Sequence, residues 1–403
     1  MMRGKIKLIS LLLLMVIFIL PAGAQADEIL LDLLREKGVI TYEEAEEARI
    51  DSAEEKADFL ISLKGADLRL GGELEVEFRD TEKDDGISDP NPRFQFDKFV
   101  LKPEVTFRDS KISLKGELEF TADSAYFSNG GVYFKGLPLL DSQFFAGLDT
   151  RFINISRKTE VYPLIGTAMW RYQELQVNWE AKKALFYWGV CLSEGLRLGT
   201  KQVSEDSSYK MLRDNRNVAA KTGHFEAGFK LGIKPDIGDL GTIDVLGFGF
   251  FGELDTADVG VLKSKLPGYI SDSEIMRRYG GRAVYKYKFD KLKELTLVAE
   301  GAQFEDGDLE RTGWYVQGSH KWKFKRTYFP SFEPLIRYGE LNPDWPKSFS
   351  KPCSWDREML TLALITELAK NVKLKTEYYF NNEKTGGRDV NNNEFLAQLE
   401  FKF

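Results

Sequence analysis

The sequence predicts an all-β fold: a transmembrane antiparallel β-barrel of about 16 strands, with a short helical segment before it. Three observations carry this. From residue 64 onward the chain is a train of segments in which apolar and polar side chains alternate with period 2. No stretch of 18 apolar residues lies among them, so no helix of this region spans a bilayer. The links between segments alternate long and short, the pattern of strands that cross a membrane back and forth.

The first element is an export signal, residues 1–26. Arg3, Lys5 and Lys7 form a positive start. Leu8 to Leu20 is an uncharged run of 13 residues, too short to span a bilayer that needs about 20. Pro21 ends it, and Ala22-Gly-Ala24 or Ala24-Gln-Ala26 offers small residues for cleavage.

Residues 27–58 read as a helical leader. Ile29, Leu30, Leu33 and Leu34 share one helical face. Gly38 is placed to cap that helix. Thr41 and Glu44 have capping-box spacing for a second helix that is nearly all charge and alanine. These 32 residues hold 12 acids and 4 bases, whereas residues 59–403 carry a net charge of only -2. The acidity of the chain therefore belongs to its leader. A basic nucleic-acid binder is excluded.

Residues 59–403 form the barrel. Strands are expected at 67–79, 93–108, 111–123, 130–135, 142–149, 168–180, 183–193, 219–232, 241–253, 279–289, 293–304, 311–323, 330–340, 356–368, 371–381 and 393–403. In the first, Leu68, Leu70, Leu74, Val76 and Phe78 oppose Asp67, Arg69, Glu73, Glu75 and Glu77. In the twelfth, Trp314, Val316 and Trp322 oppose Tyr315, Gln317, Lys321 and Lys323. The odd-numbered links (80–92, 124–129, 150–167, 194–218, 254–278, 305–310, 341–355, 382–392) are the long set. An even number of strands puts both ends of the barrel on the side of the short turns. Sixteen strands enclose a water-filled channel, whereas eight are filled by side chains.

The last strand puts Phe395, Ala397, Leu399, Phe401 and Phe403 on one parity and Glu394, Gln398, Glu400 and Lys402 on the other. A closing aromatic strand behind an export signal resembles bacterial outer-membrane barrels. That resemblance implies that Phe403 is read by the barrel assembly machinery, with outer-membrane lipid as the surrounding partner.

A more specific resemblance rests on three stretches. These are Leu33-Leu-Arg-Glu-Lys-Gly-Val-Ile-Thr41 before a Glu-rich run, Leu68-Arg-Leu-Gly-Gly-Glu-Leu-Glu-Val76, and the final Phe403. Together they resemble the phosphate-selective porin O and P family. The family implies a 16-stranded, trimeric outer-membrane channel that passes small hydrophilic solutes and prefers anions. Its arginine ladder has no residue-by-residue match in this sequence.

Candidate pore residues follow from parity and loop position. The third long link carries Arg151, Arg157 and Lys158 against the single acid Glu160. Folded inward, it would place a positive, anion-taking constriction. Strand parity turns Glu73, Glu75, Glu77, Glu117, Glu119, Glu174 and Glu180 inward from one wall. It turns Arg282, Lys286, Lys288, Lys321, Lys323, Lys373 and Lys375 inward from later strands. The expectation is a pore with facing walls of opposite sign.

No catalytic constellation, metal site or cofactor is expected. The two histidines, His224 and His320, fall inside strands, where an aromatic girdle or a rim accounts for them. Gly247-Phe-Gly-Phe-Phe-Gly252 spells a dinucleotide motif but lies within an apolar strand with no helical pattern expected after it. The spacing of Cys191 and Cys353 leaves their pairing open. Rival classes are an outer-membrane barrel enzyme, which needs a Ser and a His to meet at the outer rim, and a structural barrel without an open pore. A plugged transporter needs a far longer plug domain than 27–58.

Overall fold

The computed structural model describes residues 59–82, 93–108, 110–137, 142–150, 153, 158–165, 173–195, 197–202, 210–215, 225–346, 353–385, 390 and 392–403. The export signal, the helical leader, Arg151, Arg157 and His224 lie outside the described residues.

Sixteen strands close into one antiparallel ring. The first seven are β2 (Ala66–Thr81), β3 (Arg93–Phe107), β4 (Ile112–Phe120), β5 (Ala125–Leu137), β6 (Ser142–Thr150), β7 (Gln173–Lys183) and β8 (Phe186–Ser193). The ring continues through β11 (Glu226–Ile233), β12 (Thr242–Glu253), β13 (Ile275–Asp290), β14 (Lys293–Asp306) and β15 (Leu309–Lys323). It ends with β16 (Ser331–Asp344), β17 (Asp356–Ala369), β18 (Val372–Lys384) and β19 (Glu394–Lys402). β8 pairs with β11, and β19 returns to β2, so the sheet has no free edge. All sixteen expected strands are present, with ends shifted by several residues in places. A short extra strand, β1 (Phe59–Leu63), pairs with β2 and β11.

Three features of the links differ from expectation. The link expected at 305–310 shrinks to Gly307 and Asp308, because Asp306 and Leu309 still pair across the ladder. Gly307 has φ 63°, the left-handed backbone a two-residue turn needs. The β8–β11 link holds a separate hairpin, β9 (Arg197–Gln202) with β10 (Lys210–Asn215). The link after β12 holds a helix, α1 (Thr256–Lys265), opened by a reciprocal Asp255–Asp258 capping box. A helix therefore does follow the Gly247–Gly252 stretch. Those glycines nevertheless sit within the β12 ladder rather than at a strand-to-helix turn, and Phe248 and Phe250 between them are buried inside the ring. No helix among the described residues is long and apolar enough to cross a membrane.

The outward face is apolar and edged by aromatic rows. Phe289, His320, Trp322 and Phe332 stack in series, with centroids 5.2, 4.0 and 4.7 Å apart, near the short-turn end. At the opposite end Phe78 lies 4.9 Å from Phe94 and 6.2 Å from Phe395. Two belts of this kind mark the interfacial levels of a lipid-embedded barrel. At the closing seam, Gly72 and Phe403 exchange backbone hydrogen bonds of 2.9 and 3.1 Å. The Phe403 ring stacks 5.9 Å from Phe99. Cys191 and Cys353 form no disulfide, and burial pushes the Cys353 thiol up.

Candidate functional site: an inward-folded segment in the ring

Residues 158–165, between β6 and β7, lie inside the ring and hydrogen-bond to the inner faces of four strands. The Lys158 ammonium donates to Ser319 Oγ on β15 at 3.1 Å and pairs with Glu333 on β16. Arg337 on β16 donates to Thr159 Oγ1 and to the Val161 carbonyl, each at 2.8 Å. The Glu160 amide donates to both Glu377 oxygens on β18, at 3.0 and 2.9 Å. The Val161 amide donates to Tyr379 Oη at 3.1 Å. Gln398 on β19 donates to Glu160 Oε2 at 3.2 Å, and also to Glu75 and Glu77 on β2 at 3.0 and 2.9 Å.

The apolar residues of the segment add packing. Leu164 and Ile165 join Ile153 in a buried cluster with inward Phe248, Phe250, Phe304 and Tyr315. A Cβ on Gly313 of β15 would come within 2.2 Å of Ile165, so that glycine is what admits the segment so close to the wall. The segment is therefore anchored both by charge-assisted hydrogen bonds and by burial.

Several carboxylates converge beside it. Oxygens of Glu77, Asp97 and Glu160 lie within 4.8 Å of one another. Asp97 owes its position to a β-bulge: Glu75 opposes Lys98, yet Val76 opposes Phe96, so Asp97 is the extra residue. In a regular strand it would share the outward parity of Phe99. The bulge turns its carboxylate inward instead. Gln398, Arg79 at 3.2 Å from Glu77, and Lys98 at 3.3 Å from Glu75 partly offset the cluster.

Lys158 is engaged by Ser319 and by Glu333, which takes its charge, so it does not present a free cation to an anion. Lys286, Lys288 and Lys323 have inward parity and are exposed, with no ion pair recorded among the described residues. Lys321 pairs with Glu367 at 3.0 Å. Lys373 and Lys375 flank Glu400 at 3.7 and 2.9 Å. Glu73 lies 3.0 Å from Lys102, and Glu117 accepts from Asn129 at 2.7 Å.

Walls of opposite sign are therefore not what the ring contains. Lys98 and Lys102 of β3 stand between the acids of β2 and β4, Glu400 stands among the lysines, and Glu180 pairs with Lys230 at 3.0 Å. Cross-strand neighbours about 5 Å apart settle into opposite-sign pairs because like charges directly opposite are destabilising. The parity reading left Lys98 and Lys102 out, and Glu400 with them.

Four inward arginines also emerge as structural clamps. Arg278 and Arg311 hold Asp306 between them, all buried. Arg357 grips Glu383 with two bonds of 2.6 Å while Trp355 Nε1 donates to the same carboxylate at 2.6 Å. With Arg337 they are already engaged. Their inward parity was legible in the sequence, but their partners lie across strands or in links.

No protein-family model and no curated protein matches the chain. Solved structures do share the fold. OprB of Pseudomonas putida aligns over 84% of this chain and 94% of its own, at 11% identity and TM-score 0.58. The outer-membrane channel DcaP of Acinetobacter baumannii aligns over 85% and 99%, at 14% identity and TM-score 0.55. An anion-selective porin from Comamonas acidovorans aligns over 84% of this chain and 100% of its own, at 12% identity and TM-score 0.53. At these identities the likeness is one of fold, an outer-membrane barrel.

Proposed function

We propose that the protein is an outer-membrane porin, a channel for passive diffusion of small hydrophilic solutes, narrowed by the inward segment 158–165. The observation that carries this reading is the Glu160 amide seated on Glu377 inside a closed sixteen-stranded ring. A ring of that size is too wide for wall side chains alone to fill. An inward segment then sets the width and charge of the passage. Residues 1–26 direct export, the chain assembles as a homotrimer, and Phe403 serves as the assembly signal.

The constriction favours cations, because Glu77, Asp97 and Glu160 crowd it while Lys158 is neutralised by Glu333. A second reading, anion preference of the phosphate-selective kind, draws on the exposed inward Lys286, Lys288 and Lys323. It also draws on the anion-selective porin among the similar folds. Engagement of Arg278, Arg311, Arg337 and Arg357 by their own partners speaks against a free arginine ladder.

Reconstitution in planar bilayers tests both levels. Discrete conductance steps are expected, and their absence refutes the channel. Under a salt gradient the reversal potential is expected on the cation side. A reversal on the anion side replaces the first reading of charge with the second.

A further inference from the structure

The hairpin β9–β10 stands apart from the barrel ladder. It forms its own two-stranded sheet and leaves the wall between β8 and β11, at the end that carries the long links. From there it reaches far round the ring. The Leu198 amide donates to Asp258 Oδ1 of α1 at 2.9 Å. The Leu212 carbonyl accepts from Arg311 of β15 at 3.1 Å. Met211 Sδ lies 2.8 Å from Arg357 Nη1 on β17. β17 is seven strands beyond β8 in a ring of sixteen, close to the opposite side. A hairpin that starts at one wall and touches the other lies across the opening.

Both faces of β10 are covered. Successive strand residues point to opposite faces, and Met211 and Leu212 are both buried, 5% and 3% exposed. Met211 belongs to the apolar cluster inside the ring, with Phe248, Phe304 and Ile165. Leu212 belongs to a second cluster with Leu198, Val259 and Leu262 of α1, Tyr269 and Leu309. The hairpin is thus held between the interior and a helical cap.

We propose that β9–β10 is a lid across the long-link mouth, latched by Leu198 on Asp258, Leu212 on Arg311 and Met211 on Arg357, and that its displacement opens the passage. A two-stranded hairpin has little stability of its own. It opens as a low-stability unit when its latches release, while the closed ring stays intact. The inference rests on the channel reading above.

Two measurements separate the lid from that reading. The first is bilayer conductance of the intact protein and of two variants, Leu198→Asp with Leu212→Asp, and Met211→Ser. The second is the rate at which a membrane-impermeant maleimide labels Met211→Cys in a Cys191→Ser, Cys353→Ser background, with and without Leu198→Asp. A charge placed in an apolar cluster is costly to desolvate and drives the hairpin out. At least twofold higher conductance and at least tenfold faster labelling are expected. Equal, nonzero conductance of the native protein and both variants overturns the lid and leaves the channel standing. Unchanged labelling overturns the lid as well. Faster labelling with no conductance from any form removes the channel reading, and with it the role of the hairpin as a gate. Met211→Ser adds no charge, so it still reports if the double variant fails to assemble.

Discussion

Arg337 donates to Thr159 Oγ1 at 2.8 Å and to the Val161 carbonyl at the same distance. One guanidinium on the wall thereby holds both a side chain and the backbone of the inward segment. Arg337 is 1% exposed, so these bonds are formed out of water. Arginine suits the task, since its fork presents several donors in one plane.

Arg337→Ala is expected to free the segment and widen the passage. Single-channel conductance should rise, and unfolding in detergent should show a loss of about 2–4 kcal/mol, as when hydrogen bonds to a charged donor are removed together. A conductance equal to that of the native protein refutes the view that this arginine holds the constriction.

Glu160→Gln should shift the reversal potential toward anions, because it removes one of three converging carboxylates. Lys158→Gln should hardly move it, since the Lys158 charge is already taken by Glu333. The Glu160→Gln shift should shrink as ionic strength rises and the screening length falls toward about 3 Å at 1 M salt. A large anion-side loss from Lys158→Gln would show that its charge is available to solutes.

Arg357→Met strips Glu383 of its two 2.6 Å bonds within a buried site. Breaking one partner of a buried pair costs about 3–5 kcal/mol, because the other charge is left uncompensated. The barrel should unfold at distinctly lower temperature or denaturant concentration. An additional rise in conductance would follow from the lost Met211 contact.

Gly72→Ala should impair closure of the ring. A Cβ there would meet the Phe403 ring at 2.4 Å and the Val100 carbonyl at 2.6 Å, closer than either can tolerate without moving. The yield of folded, heat-modifiable protein should fall on gel electrophoresis. An unchanged yield would refute the view that ring closure depends on this close approach.

Period-2 alternation was enough to find every strand of the ring, because each barrel strand has one face in lipid and one inside. Leu68 to Phe78 and Trp314 to Trp322 show this alternation plainly. The hairpin β9–β10 and α1 were missed, as neither has lipid on one side. Leu198 and Leu212 are buried by the cap, and α1 buries only Asp258, Val259 and Leu262. Link length misled at 305–310, where Asp306 looks like a loop residue but is buried between Arg278 and Arg311.

The sequence by itself determined the strand number, the inward parity of Glu75, Glu77, Lys373 and Lys375, and the aromatic row that holds His320. All of these depend on neighbours along one strand. Only the tertiary structure decided what those inward groups meet. The bulge at Asp97 reverses a parity that a regular strand would fix, and Lys98, Lys102 and Glu400 break up the expected walls of single sign. Residues 158–165 turn inward because Arg337, Glu377, Tyr379 and Gln398, from three distant strands beyond them in the chain, present partners there. Charge pairing acts through space over a few ångströms, and ring closure alone sets which strands are that close.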